Sequence, residues 1–432
     1  MRRADDGEGR VKAAGEVYLP KPSGFKAMPD GGTAMYDAYK ARARFPEIVA
    51  PTLAAMVGVI HDKDIAIEMP NGLNYLKERA TKTGLSLDAF HRRVTSALLK
   101  LGRYSVLADA PSEGGEPFLC GYAGDAVINW DDTGTFYVID DSGQVRKGFT
   151  WDREDRFVEL VLEEGRYVQR VHVGGAATDI TPTRSGGGTM DRIPFVVANS
   201  KDIAPDIQSP PMIGVARAAI AVYQLSADYR HQLFMSGQET LVAINGDAPK
   251  QIGAGVVHQM DGTDGVTPDL KYVSPSCAGI EAHKIAMDDE TDAAVRAGAK
   301  LLEQDGGAQE SGKARQLRTA SNNSVLASIA KVSCEVLEKS LRNAAMMMGL
   351  DQATQEQITV TPPKDLGDTT MSAQDAYALV QAWQLGGFST RTLYENLQRG
   401  GIANPERAFE DELAEPEGFG ADFDEQQLNT AA

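Results

Sequence analysis

Two long helical stretches that leave and return around a small excursion constrain this chain more than any other feature. Pro210-Pro211 opens the run MIGVARAAIAVYQLSADYRHQLFM, which ends at Met235. A proline in the first helical turn forfeits no hydrogen bond, which fits a start there. At 1.5 Å per residue the run makes a rod of about 37 Å. Residues 237–278 then carry β-like ETLVAING and LKYVS around the Gly/Asp-rich stretches GDAPKQIGAG and MDGTDG. A second helical pattern over 279–304 brings the chain back.

The remainder reads as helix first and sheet second. With 432 residues and 42% hydrophobic content the chain can bury a core in two or three domains. Residues 1–33, rich in Gly, Pro and charge, are expected to be extended or disordered. Ile48, Leu53, Met56, Val57 and Ile60 recur at helical spacing. A second helix is expected from Ser86, with Leu87, Phe90, Val94, Leu98 and Leu99 on one face. Over 117–175 an antiparallel meander is expected. FYVIDDSGQVRKGF folds around Asp-Ser-Gly and RFVELVLEEGRYVQRVHV around Glu-Glu-Gly. SGGGT (185–189) marks a loop. A third long helix from near Ala314 to Met348 places Val325, Ile329, Val332 and Val336 on one stripe, and Gly349 ends it. Two short helices follow, with Ser372 and Ser389 as N-caps, and residues 403–432 form an acidic tail expected to be disordered. The fold class is α+β.

The chemistry is best approached by exclusion. GAQESGKA, Gly307 to Ala314, nearly spells a P-loop, with Gly307, Gly312 and Lys313 in place. Ala314 stands where the magnesium-binding hydroxyl belongs, the preceding element reads as helix, and Glu310 would aim negative charge at the phosphates. A flexible helix–helix loop is the better reading. His61-Asp62-Lys63-Asp64 reads as a charged surface turn. The run Asp288-Asp289-Glu290-Thr291-Asp292 lacks the glycine and terminal glutamate of a calcium loop and reads as a solvated helix face. Cys120, Cys277 and Cys334 have no metal-ligand spacing, and free thiols in a reducing compartment are expected. MRRADDGEGR has no apolar segment after it, so no secretory signal is expected there. No run approaches the roughly 20 apolar residues that span a bilayer. Neither an enzyme centre nor a cofactor or metal site is expected. A net charge of −18 and a pI near 4.8 argue against tight, static DNA binding, though not against a surface that DNA slides past.

Several stretches, taken in order, carry a family pattern. They are YDAYKARARF (36–45), LLKLGRYSVLADAP (98–111), VINW (127–130), RIPFVV (192–197), SPPMIGVARAAIAVYQLSADYRHQL (209–233) and ESGKARQLRTASNNSVLASIA (310–330). Over residues 36–399 the sequence resembles the portal proteins of tailed bacteriophages, in a siphovirus-like branch. The resemblance implies a portal fold: an α/β wing at 34–209, stem helices at 210–236 and 279–304, and a small α/β clip at 237–278. It also implies a tunnel loop at 305–316, a long wing helix with a following strand at 317–371, and a short helical crown at 372–402. A portal is a ring of twelve subunits at one capsid vertex, assembled in the host cytoplasm, through which double-stranded DNA is packaged and ejected. Its implied partners are other copies of itself, the terminase large subunit, the head–tail adaptor, and the major capsid and scaffolding proteins. No membrane is involved. A ring adaptor of the head–tail junction without a packaging role is the alternative, and a P-loop NTPase built on Gly307–Lys313 a more remote one.

In that frame the charge pattern acquires a use. From Glu281 to Asp305 seven acids face three bases. Lysines and arginines gain affinity for backbone phosphate by releasing counterions, so a channel rich in them would hold DNA. An acidic lining of Asp288, Asp289, Glu290, Asp292, Glu303 and Asp305 would keep the duplex centred. Lys313, Arg315 and Arg318 would be the few cations near the narrowest point. Asp247, Lys250, Gln251, Asp261 and Asp264 of the clip are the expected partner-binding residues. Val215, Ala219, Val222 and Leu225 are candidate contacts between stems.

Overall fold

The computed structural model describes residues 1–111, 115–237, 239–252, 255–260, 265–273, 279–299, 312–363, 373–399, 402–404 and 407–414, with backbone alone at 299, 312–324, 373–376, 378, 399 and 412–414. The chain is α+β and divides into two compact units, Met1–Pro363 and Lys364–Ala432.

The first unit opens with three short helices, α1 (Arg2–Asp5), α2 (Glu8–Ala13) and α3 (Ser23–Lys26). Residues 1–33 are therefore not the extended arm their composition implied. Long-range contacts hold them. Val11, Leu19 and Phe25 are buried, and Lys100 pairs with Asp5 at 2.6 Å. The Glu8 carboxylate accepts the Phe45 backbone N–H at 3.0 Å and pairs with Lys12 at 2.8 Å. Burial alone would raise the Glu8 pKa. The hydrogen bonds from Lys12 and Phe45 and the Lys12 and Arg44 charges outweigh it and hold the carboxyl below its ordinary value.

Next come α4 (Thr33–Arg42) and α5 (Val49–Ile60), the latter turning Leu53, Met56 and Ile60 inward. A short strand β1 (Ala66–Glu68) and α6 (Tyr75–Glu78) lead to α7 (Leu87–Leu101). Its signals are local. The Ser86 hydroxyl accepts the Ala89 N–H at 3.2 Å, and the expected apolar face is buried. Gly102 ends the helix at φ 72°, where a Cβ would come within 2.8 Å of the Gln208 carbonyl oxygen.

Strands β2 (Arg103–Asp109) and β3 (Phe118–Ala123) pair antiparallel. Then follow β4 (Val127–Trp130), β5 (Phe136–Asp140), β6 (Gly143–Lys147), β7 (Thr150–Glu154), β8 (Arg156–Glu163), β9 (Arg166–Val173) and β10 (Ala176–Asp179). Five of these form an antiparallel sheet of order β10-β9-β8-β5-β4, while β6 and β7 stand apart as a two-stranded ribbon. The β8–β9 hairpin turns at Glu164 and Gly165, both left-handed at φ 50° and 74°, as the Glu-Glu-Gly signal anticipates. The hairpin expected across Asp-Ser-Gly does not form. Strand β5 pairs with β8, placing Phe136 opposite Val161, and β6 turns into β7 instead. The Arg156 N–H donates to the Ser142 hydroxyl at 3.0 Å and fixes the ribbon's root. Strand β11 (Phe195–Asn199) completes a sheet of order β11-β2-β3, whose middle strand is buried along most of its length.

Helix α8 (Ile213–Ser236) begins just beyond the prolines, with the Pro210 carbonyl accepting the Ile213 N–H at 3.1 Å. Strands β12 (Thr240–Ile244) and β13 (Asp269–Val273) pair antiparallel, and α9 (Ile280–Ala299) returns. The 36-residue α10 (Gly312–Met347) is a rod of about 54 Å. Its buried face runs through Leu326, Ile329, Val332, Val336, Leu337 and Leu341. Val325, expected on that stripe, is 40% exposed, because its neighbour Leu326 holds the inward position. Gly349 follows at φ 78°. Helix α11 (Gln352–Glu356) and β14 (Thr359–Thr361) close the unit, with Val360 opposite Ile67 of β1.

The second unit contains α12 (Ala373–Gln384), α13 (Thr390–Arg399) and α14 (Phe409–Ala414). The Ser389 hydroxyl accepts the Thr392 N–H at 3.2 Å. Leu393, Tyr394 and Leu397 are buried, and the Tyr394 and Phe409 rings lie 5.6 Å apart. Residues 409–414 are thus helical within a stretch expected to be disordered. Ser372 and residues 415–432 lie outside the described residues. Among the described residues no helix is long and apolar enough to cross a membrane.

Candidate functional site

The candidate site is the excursion together with the two rods that carry it, α8 and α9. Helices α8 and α9 run antiparallel and, among the described residues, form the most extensive helix–helix contact. At one end Gly214 faces Ala297, and at the other Gly279 faces Gln232. A Cβ on Gly298 would lie 2.9 Å from Thr52 Cγ2 and 3.4 Å from Val215 Cγ2. Glycine there permits the close approach of α9 to α5 and α8. The opposite flank of α8 receives α4 and the segment after it. Tyr39 donates to Asp228, the Arg44 N–H donates to the Ser226 hydroxyl at 2.9 Å, and an Arg42 Nη lies 3.3 Å from His231 Nδ1. Val215, Ala219 and Val222 are consumed by this packing and are buried within the chain. They are therefore not free to join neighbouring stems, and Leu225 is half-buried.

Helix α9 turns its polar face outward. Asp288, Asp289 and Asp292 are exposed and Glu290 is half-buried. Among the described residues none of the four has a hydrogen bond or ion-pair partner. Glu303 and Asp305 lie outside the described residues, as do residues 305–311 of the expected loop. The loop was expected to reach residue 316, but the backbone is already helical from Gly312. Lys313 and Arg315 thus sit in the first turns of α10 with Arg318 beyond them, and their side chains are outside the described set.

Among the described residues of the excursion between the rods none is buried. Asp247, Lys250 and Gln251 are exposed, while Asp261 and Asp264 lie outside the described residues. Sequence reasoning chose polar residues here and passed over the apolar ones. Val257 is 92% exposed, Ile252 63% and Tyr272 57%. Uncovered apolar side chains grouped on a small element mark a contact surface. The visible signal was β-branched residues inside a Gly/Asp-rich stretch.

A second overlooked feature lies where α4 meets α8. Arg42, Arg44 and Arg230 surround Leu233 and Phe234 in an open depression. The Arg42 guanidinium rests 4.1 Å from the centre of the Phe234 ring. His61, in the HDKD turn, is buried rather than exposed. Its Nε2 meets the Thr95 hydroxyl at 3.0 Å, and its ring lies 4.6 Å from that of His91. Burial pushes the His61 pKa down to about 4 and the His91 pKa to about 3, with smaller contributions from neighbouring charge. These are core histidines held neutral.

Comparison with known proteins adds the following. A family model described as a domain of unknown function (DUF4055) matches residues 211–348, which span α8, the excursion, α9 and α10. No curated protein matches the sequence. Among solved structures the chain is similar to a chain in the neck of an empty gene transfer agent particle, computed with C6 symmetry. Identity is 15% and the TM-score 0.40, covering 92% of this chain and 99% of that one. A chain in the virion of a native gene transfer agent particle gives 15% identity and a TM-score of 0.40, covering 91% and 99%.

Proposed function

We propose that this chain is a portal subunit, forming a ring of twelve through which double-stranded DNA enters and leaves a capsid. In this reading α8 and α9 are the stem, the β12–β13 excursion is the clip, and α10 returns to the wing formed by the preceding helices and sheets. The first turns of α10 lie at the channel. Helices α12 and α13 are the crown. The chain does no chemistry, and ATP hydrolysis belongs to the terminase that docks on the clip. The head–tail adaptor takes the terminase's place afterwards.

One observation carries the reading. Two rods packed on each other leave and return around a two-stranded knob whose Val257, Ile252 and Tyr272 are left uncovered by the described residues of their own chain. A two-stranded ribbon is marginal alone in water, so this element is built to be completed by other chains. Asp289 and Glu290 of α9, unpaired among the described residues, supply a repulsive lining that lets a polyanion pass without being held. The mass of the purified full-length protein tests the assembly. Twelve copies of a 46.4 kDa chain are expected, and a monomer at every concentration would overturn the reading.

A further inference from the structure

We propose that successive subunits meet by seating one strip of α9 in the arginine notch between α4 and α8 of the next copy. This rests on the ring reading above and assigns the repeating contact that the ring requires.

The notch is an open depression of about 420 Å³. The Arg42 guanidinium is held by the Phe234 ring and by His231, and its Nε is buried without a partner. Arg44 is 66% exposed at its side chain and reaches Glu8 at 3.4 Å. Arg230 is exposed and, among the described residues, has neither hydrogen bond nor ion pair. Two acids stand nearby. Glu8 is shared with Lys12, and Asp228 accepts from Tyr39. The notch therefore keeps a surplus of positive charge in a chain whose net charge is −18. Its floor is apolar, with Leu233 40% and Phe234 38% exposed.

Helix α9 carries the matching surface. Glu281, Ile285, Asp288 and Asp292 follow the spacing of one helical strip, and all four are exposed. Three carboxylates thus flank an isoleucine that is 54% exposed. The adjoining strip, Ala282, Ala286, Asp289 and Ala293, is half-buried at Ala286 and Ala293 and has a single carboxylate. That asymmetry selects the first strip for the notch and leaves Asp289 with Glu290 for the channel.

Position makes the contact intermolecular. Helix α8 meets α9 through Gly214, Val215 and Gln232, and meets the notch side through Arg42–His231 and Arg42–Phe234. The notch and the acidic strip therefore lie on opposite flanks of one rod pair and cannot meet within a chain. A surface on one flank that fits the other flank of an identical molecule is heterologous, and its repetition closes into a ring when the rotation allows. Opposite charges around an apolar centre give such a contact its register.

The test uses the full-length chain, with mass photometry over a range of concentration and salt. Two variants are made, Arg230→Glu and the pair Asp288→Lys with Asp292→Lys. All three sites are exposed, and thermal melts of each variant should match the parent. Each variant alone sets like charges against one another and should raise the concentration needed for assembly roughly tenfold or more. Mixing the two in equal amounts should restore assembly, because every interface then joins opposite charges. Variants that assemble like the parent, or a mixture as impaired as its components, would overturn the contact while leaving the ring intact. So would unchanged rings with weakened binding of a DNA duplex in Arg230→Glu, which would make the notch a nucleic-acid site. A parent protein that never assembles removes both the ring and this contact.

Discussion

The buried histidine pair gives a prediction whose size follows from the structure. His91 is 1% exposed and His61 8%, and the Nδ1 of His91 is buried with no partner. Both pKa values are depressed on folding from an ordinary 6.5, His61 to about 4 and His91 to about 3. A base depressed in this way contributes stability that is complete above pH 6.5 and is lost as pH falls toward the folded values. At about pH 5 the unfolded chain protonates both rings and the folded chain almost neither. Each group then costs about 2 kcal/mol, at 1.36 kcal/mol per pKa unit, and the pair about 4 kcal/mol. That is a large share of the roughly 5–15 kcal/mol typical of a folded domain. Urea unfolding at pH 8 and pH 5 is compared between the parent and a variant with His61→Gln and His91→Gln. Groups common to both proteins cancel, so the parent should lose about 4 kcal/mol more than the variant between the two pH values. Equal losses would refute the claim that these rings are held neutral.

Three other predictions concern packing and the channel. Leu19→Ala should cost about 2–5 kcal/mol in thermal denaturation if residues 1–33 belong to the fold, and nothing if they form a loose arm. Gly298→Ala sets a gain in helix propensity of about 1 kcal/mol against an overpacking cost of about 1–3 kcal/mol from Thr52. A net loss in melting temperature is expected, and a more stable variant would show that α9 does not lie so close to α5. Replacing Lys313 and Arg315 with alanine should leave ring formation intact and alter DNA packaging or retention. Unchanged packaging removes the role given to these cations.

What the sequence disclosed was local. Ser86, the apolar face of α7 and the Glu164-Gly165 turn were all legible, because each is decided by residues within a turn or two of itself. What it hid depends on partners far along the chain. The helices of residues 1–33 exist because Glu8 finds Phe45 and Val11 finds the core. The Asp-Ser-Gly signal was read as a hairpin, yet β5 chose β8 and Ser142 anchored to Arg156. Val222 looked available for assembly from its helical spacing, but α8 is covered on both flanks by its own chain. The arginine notch was invisible for the same reason, since Arg42 and Arg44 lie far in sequence from Arg230.

The central claim is that α8 and α9 stand as staves around an open axis. Electron cryomicroscopy of the purified assembly tests it most directly. The account predicts a closed ring with paired rods around a central hole, the β12–β13 knobs at one rim and the N-terminal end of α10 at the narrowest point. A compact particle with no axial opening, or a ring in which α9 lies on the outer surface away from the hole, would contradict it.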